Sequence, residues 1–218
     1  MTTAPYETFA SLSAIRGLRH GFIQRVPNLS LAVEREQALR LLDTSHREAV
    51  VKMSLGDKTF MTAEQIHSAN IVRVNAQTAS LIPQCDGLLT NDPRLALGIY
   101  TADCGAIYLV DPDHQAIGLL HSGKKGTELG ILTNAIEAMI REFGTDPSQL
   151  IVQLAPCIRP PHYEIDFAAD IAAQAKAAGV DQYYDCGQCT AANPEKYYSY
   201  RRELGKTGRH LAVLGYGS

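Results

Sequence analysis

Four short apolar runs crowd the middle of the chain, at Gly87–Thr90, 96–101, 106–111 and 116–121. Asn91-Asp92-Pro93 and Asp111-Pro112-Asp113 separate two pairs of them, and residues of that kind mark turns between strands. Strands that follow one another in runs and outnumber the helices point to a mixed or largely antiparallel sheet with helices packed on it. They argue against a doubly wound parallel sheet. Further strands are expected at 18–25, at 71–74, at Ile151–Leu154 and at 211–214. Helical spacing marks 34–42 and, most clearly, 127–143, where Leu132, Ile136, Met139, Ile140 and Phe143 recur and Gly144 is a stop. An alanine-rich helix is expected at 167–178, ending at Gly179, and another at 194–204. No repeat, low-complexity stretch or linker interrupts the chain, so residues 1–218 read as one domain.

The composition excludes several classes. A chain of 218 residues with 45% hydrophobic and 20% charged residues suits a globular core. A formal net charge of -3 gives no basic excess for nucleic acid or an anionic membrane. No apolar run could span a bilayer, and the first residues lack a signal-peptide pattern. A cytoplasmic protein is the expectation. Five cysteines, an odd number, do not suggest a disulfide framework. Cys85 and Cys157 read as small buried hydrophobes, and the Cys186–Cys189 pair has CxxC spacing without a second such pair to complete a zinc ribbon.

Chemistry concentrates around the central runs. Thr101-Ala102-Asp103-Cys104 is a polar cluster between two apolar strands, which places it at a strand end open to a cleft. His121 closes a later strand and is followed by Ser122-Gly123-Lys124-Lys125-Gly126. A glycine-rich turn with two lysines entering a helix suits an anion, although the spacing is not that of a P-loop. His67 lies in a polar stretch ahead of 71–74. His67, Cys104 and His121 together would be an ordinary zinc set, with a fourth position open for water or substrate. Zinc there would keep a net positive charge able to polarise an oxygen. Spacing alone leaves the alternative open, because a histidine at a strand end is more often a hydrogen-bonded structural residue.

Several ordered motifs carry a resemblance. Gln65-Ile66-His67, Asp86-Gly87-Leu88-Leu89-Thr90, Thr101-Ala102-Asp103-Cys104 and His121-Ser122-Gly123-Lys124-Lys125-Gly126 are similar to those of the laccase-domain family. So are Cys189-Thr190, Tyr198-Ser199-Tyr200-Arg201-Arg202 and Thr207-Gly208-Arg209. That family is also described as YfiH-like, as multicopper polyphenol oxidase and as purine nucleoside phosphorylase. The resemblance implies an α/β fold of the α+β type, layered α/β/β/α with mixed sheets. It implies metal ligands at His67, Cys104 and His121, with zinc favoured over copper. It implies phosphorolysis of purine nucleosides, with adenosine deamination as a further activity. Cys104, Asp103 and His121 would then be catalytic, Asp103 moving a proton or orienting a ligand histidine. Arg25, Gln65, Lys124, Lys125 and Arg201 would contact substrate or phosphate.

Departures accompany the resemblance. Ser68 replaces a glycine, Lys124-Lys125 replace Trp-Arg, and the N-terminal glycine-rich element survives only as Arg25 in Gln24-Arg25-Val26-Pro27-Asn28. Seven histidines without a His-x-His pair do not supply a multicopper cluster. Two other readings stand beside the phosphorylase. One is a metal-free cysteine hydrolase or deamidase using Cys104 and His121, including peptidoglycan-precursor editing. The other is a divergent metal-binding member without activity.

Overall fold

The computed structural model describes residues 5–217. One six-stranded sheet has the order β1 (Tyr6–Glu7), β2 (Leu18–Ile23), β12 (His210–Tyr216), β7 (Leu95–Thr101), β3 (Thr59–Ala63) and β5 (Leu81–Ile82). The other has the order β11 (Gln182–Asp185), β10 (Ile151–Leu154), β8 (Gly105–Asp111), β9 (Ala116–Ser122), β6 (Gly87–Thr90) and β4 (Ile71–Arg73). Both are mixed. In the first, β3 runs parallel to β7 and β5; in the second, β10–β11 and β4–β6 are the parallel pairs.

Side-chain alternation produces the layers. Along β8, Ala106, Tyr108 and Val110 share a core with Phe22, Leu97, Ile99 and Ala212 of the other sheet. Ile107 and Leu109 face the opposite way, onto α4 (Ile131–Phe143) and α5 (Phe167–Ala177). On the far side of the first sheet, Ile23, Leu211 and Val213 pack with Ala38, Leu42 and Ala49 of α2 (Arg35–Lys52). The order is therefore helix, sheet, sheet, helix. Strands covered on both faces read as unbroken apolar runs, which is why 106–111 and 116–121 were conspicuous. Each fully buried Leu or Ile contributes roughly 1.5–3 kcal/mol.

Three expectations need correction. The helix expected from Thr127 is divided. A short α3 (Lys124–Glu128) is followed by Gly130 at φ 74, a left-handed conformation that no α-helix passes through, and α4 begins only afterwards. Residues 194–204 form turns, not a helix. Their backbone groups bond elsewhere: the Tyr198 N–H donates to His210 Nε2, and the Tyr197 carbonyl accepts from Arg25. Leu204 at φ 54 and Gly205 at φ 90 end the segment. The helix expected at 34–42 continues to Lys52, because Ala38, Leu42, His46 and Ala49 keep one face buried. Among the described residues no helix is long and apolar enough to cross a membrane.

Candidate metal centre and its cleft

The β8–β9 register builds the site. Ala106 pairs with His121 and Gly105 with Ser122, so Cys104 falls next to Gly123. A Cβ on Gly123 would lie 2.4 Å from the Cys104 Sγ, so the missing side chain is what makes room for the thiol. His67 arrives from the loop between β3 and β4. One ligand atom from each of His67, Cys104 and His121 lies within 4.8 Å of the others. The two imidazole rings are 4.9 Å apart at 75°. One sulfur and two nitrogens at this spacing fit a first-row transition metal, and thiolate with imidazole suits zinc or copper. His67 is exposed, Cys104 half-buried and His121 buried, so an ion held here would keep an open side.

Asp86 holds this arrangement together. Its fully buried carboxylate accepts from the N–H groups of Ile66, His67 and Ser68, from the Ser68 hydroxyl and from His121 Nδ1. Burial opposes its ionisation. The hydrogen bond from His121 and those from Ser68 overcome that and hold the carboxyl at about 2. An ionised Asp86 fixes the proton on His121 Nδ1 and leaves Nε2 as the ligand atom. The serine at 68, where the resemblance expects glycine, adds its hydroxyl to the backbone N–H that any residue there would donate. The backbone around the site is also conformationally constrained: Gln65 (φ 65) and His67 (φ 61) in the β3–β4 loop and Asp103 (φ 85) in the β7–β8 turn are three of the eight non-glycine residues with positive φ among those described. Such geometry persists only where surrounding bonds enforce it.

Cys104 and His121 each favour the charged form of the other. Burial works against charge on both groups, yet His121 pulls the Cys104 thiol below its ordinary range by its charge and hydrogen bond, and His67 adds a second hydrogen bond. Cys104 and Asp86 push the His121 imidazole above its own range against the same desolvation.

A cleft of about 610 Å³ opens beside the triad, a size common for small-molecule sites. Gln65 lies on its wall, where its amide donates to the Tyr100 carbonyl and accepts from the Tyr100 N–H. It anchors the end of β7. Lys124 and Arg201 also line the cleft. Lys125 is exposed and lies outside that lining.

Two of the expected site residues are held by bonds within the chain. Arg25 does not line the cleft: it pairs with Glu203, donates to the Tyr197 carbonyl and stacks 4.5 Å over Tyr198. Asp103 lines the cleft, but its carboxylate accepts from the hydroxyls of Thr190 and Ser199 and from the Arg201 N–H. It ties the C-terminal turns to the β7–β8 junction, and Asp86 is the carboxylate that orients His121. Arg35 and Arg209 line the cleft and were not singled out in the sequence; only the Thr207-Gly208-Arg209 motif hinted at the second. The remaining well-placed histidines serve the structure. His20 Nε2 accepts the Phe9 N–H, and His114 pairs with Asp111.

Fold and site together define a layered α/β/β/α protein with a candidate His2Cys metal centre in an open cleft. The sequence profile of the family described as multi-copper polyphenol oxidoreductase laccase matches residues 26–170 and 162–216, and the chain belongs to that family. A purine nucleoside phosphorylase, YlmD, of Geobacillus stearothermophilus is 29% identical over 196 residues, covering 72% of each chain. A purine nucleoside phosphorylase of Deinococcus radiodurans is 30% identical over 184 residues, covering 72% of this chain and 70% of its own. Among solved structures, the Bacillus licheniformis hypothetical protein YfiH superposes with a TM-score of 0.84 at 20% identity, over 97% of this chain and 99% of its own. The Geobacillus stearothermophilus YlmD structure gives 0.82 at 22%, over 99% and 100%. Those two establish the shared fold.

Proposed function

We propose that the protein is a purine nucleoside phosphorylase whose His67, Cys104 and His121 hold zinc, with copper the less favoured metal. The observation that carries this reading is a His2Cys donor set inside a cleft that also presents cationic and aromatic side chains. The names of several relatives support the reaction class. When bound, the metal would supply Lewis acidity toward a substrate oxygen.

The chain's own groups account for the remaining requirements. Tyr100, Tyr163, Phe167 and Tyr200 line the cleft and give it an aromatic wall suited to a purine. In phosphorolysis a phosphate oxygen bonds to the anomeric carbon while that carbon's bond to the base breaks. The purine leaves with the bonding pair and takes up the proton that phosphate releases, giving a sugar 1-phosphate and the free base. Lys124 and Arg201 line the same cleft and add to the positive charge that an anionic co-substrate requires. Asp86 keeps the His121 proton on Nδ1, away from the reacting side. Adenosine deamination at the same centre is proposed as a second activity.

Metal analysis of the purified protein, paired with a nucleoside assay read by chromatography, tests this. Stoichiometric zinc is expected, with base and sugar 1-phosphate released from adenosine, inosine or guanosine only when phosphate is present. Full phosphorolysis by metal-stripped Cys104→Ala protein would sink the reading.

One feature favours a second reading, a metal-free cysteine hydrolase. The Cys104 thiol is stabilised as thiolate by His121 and His67, which is how a nucleophile–base pair is activated. Rapid alkylation of Cys104 in protein that purifies without metal would favour it. Stoichiometric zinc would count against it, since a ligated thiolate is not a free nucleophile.

A further inference from the structure

Four cationic side chains line the cleft: Arg35, Lys124, Arg201 and Arg209. Two have acidic neighbours at the surface. Arg201 pairs with Glu164 at 3.0 Å, and Lys124 lies 3.9 Å from Glu128. Arg209 is different. It is only 8% exposed and has no ion-pair partner among the described residues. Nη1 donates to the carbonyls of Thr207 and Gly208 at 2.8 and 2.9 Å. Those bonds hold the guanidinium in place, while Nε and Nη2 make no hydrogen bond within the described chain. Its charge is opposed first by burial and next by the charge of Arg35. Arg35, exposed on the same cleft wall, donates only to the Glu64 carbonyl, and neither arginine has a carboxylate hydrogen-bonded to it. The negative charges of Asp103 and Cys104 offset the burial of Arg209 only in part, so an anion in the cleft would be favoured by both arginines.

A third feature adds to this. Glu34 and Arg35, at the start of α2, both line the cleft. No side chain caps this end of the 18-residue helix, so its first-turn N–H groups and the positive end of its dipole are available to an anion. The acids on the cleft wall are Glu34, which is exposed, and Asp103, whose carboxylate is already held by Thr190, Ser199 and the Arg201 N–H. The Tyr200 ring lies 5.8 Å from the Arg209 guanidinium and covers one of its faces. Gly205, at φ 90, passes close against that ring, which fixes the turn.

We propose that Arg209 and Arg35, with the amino end of α2, form the seat of a tetrahedral oxyanion in the same cleft as His67, Cys104 and His121, and that the anion is inorganic phosphate. This assignment rests on the phosphorolysis reading for the identity of the anion. It moves the phosphate seat away from Arg25 and the Lys124-Lys125 turn. A guanidinium presents a planar fork that matches two oxygens of phosphate, which a lysine cannot do.

Calorimetric titration of the metal-loaded protein with inorganic phosphate, in the absence of nucleoside, tests the seat directly. Arg35→Gln and Arg209→Gln are each expected to weaken phosphate binding at least tenfold while metal stoichiometry is unchanged. Arg209→Lys, which keeps the buried charge but loses the fork, should fall between. Arg35 is exposed at a helix start, so its variant is expected to fold even if Arg209→Gln does not. Failure of the wild-type protein to bind phosphate would overturn the seat, as would unchanged phosphate affinity in a folded Arg35→Gln protein. Binding of a nucleoside 5′-monophosphate, but not of inorganic phosphate, would overturn the choice of anion. The two readings separate cleanly. Arginine-dependent phosphate binding without nucleoside cleavage would leave the seat standing and remove phosphorolysis. Phosphorolysis with a wild-type phosphate KM in Arg35→Gln and Arg209→Lys would do the reverse.

Discussion

Asp86 Oδ1 lies 2.9 Å from His121 Nδ1, and it also accepts the His67 N–H at 2.9 Å. One carboxylate oxygen thus positions both histidines of the triad, one through its ring and one through its backbone. An asparagine at 86 would place an NH2 group or a neutral oxygen among donors that need an acceptor. Asp86→Asn is therefore expected to weaken metal binding by about 10–100-fold, the usual effect of losing a group that orients a ligand. Competition with a chromophoric chelator reads this. An unchanged metal affinity would show that the carboxylate only braces the loop.

Gly123 tests the other half of the site. Its backbone, at φ -108 and ψ -164, is extended and available to any residue. Only the 2.4 Å approach of a new Cβ to the Cys104 Sγ stands against alanine. Gly123→Ala should displace the thiol, reduce metal affinity more than tenfold and lower stability by about 1–3 kcal/mol, as overpacking does. Chelator competition and urea unfolding on the same preparation separate the two effects.

Much of this is legible in the sequence, for physical reasons. Strands β7, β8 and β9 are buried on both faces, so they appear as apolar runs broken by Asp-Pro turns. Cys104 and His121 flank those runs at the polar ends where a cleft must open. What was not legible depends on distant segments returning. Asp86 looks like the start of a strand until the 65–68 loop folds over it. The partners of the Asp103 carboxylate, Thr190 and Ser199, arrive from the far end of the chain. The last strand, β12, lies between β2 and β7, and it brings Arg209 to the cleft wall from the far end of the chain. No local pattern encodes that placement. Residues 194–204 carry helix-compatible residues, but their carbonyl and N–H groups find partners in Arg25 and His210 that only the tertiary fold supplies.

Arg25 should behave as a structural residue. Its guanidinium joins the β2 end to the 197–203 turns through Glu203, the Tyr197 carbonyl and the Tyr198 ring. Arg25→Ala is expected to lower stability by about 1–3 kcal/mol, because the Tyr197 carbonyl loses its donors and Glu203, still bonded to the Ser199 N–H and the Thr207 hydroxyl, loses its cation. Calorimetric phosphate affinity should stay within twofold of wild type. A tenfold loss of phosphate binding at unchanged stability would return Arg25 to the anion site.

Three buried histidines set the acid limit of the fold. Burial pushes His20 and His46 down from 6.5 to about 4 and His210 to about 3. His20 and His210 use Nε2 as an acceptor, for the N–H groups of Phe9 and Tyr198, and a proton there would remove that bond. Unfolded, all three would titrate near 6.5. Between pH 6.5 and about 4 the unfolded chain thus binds protons that the folded chain refuses, so stability falls as pH falls. The steepest slope from three such groups is on the order of 4 kcal/mol per pH unit. Above pH 6.5 these residues add no slope, and below their folded values the loss levels off. Urea unfolding of Cys104→Ala protein, in which the thiolate–imidazole pair no longer contributes, should show midpoints that are level near pH 8 and drop sharply between pH 6.5 and 5. A flat profile across that interval would mean that the folded protein accommodates these protons, by opening the Phe9 and Tyr198 contacts without unfolding.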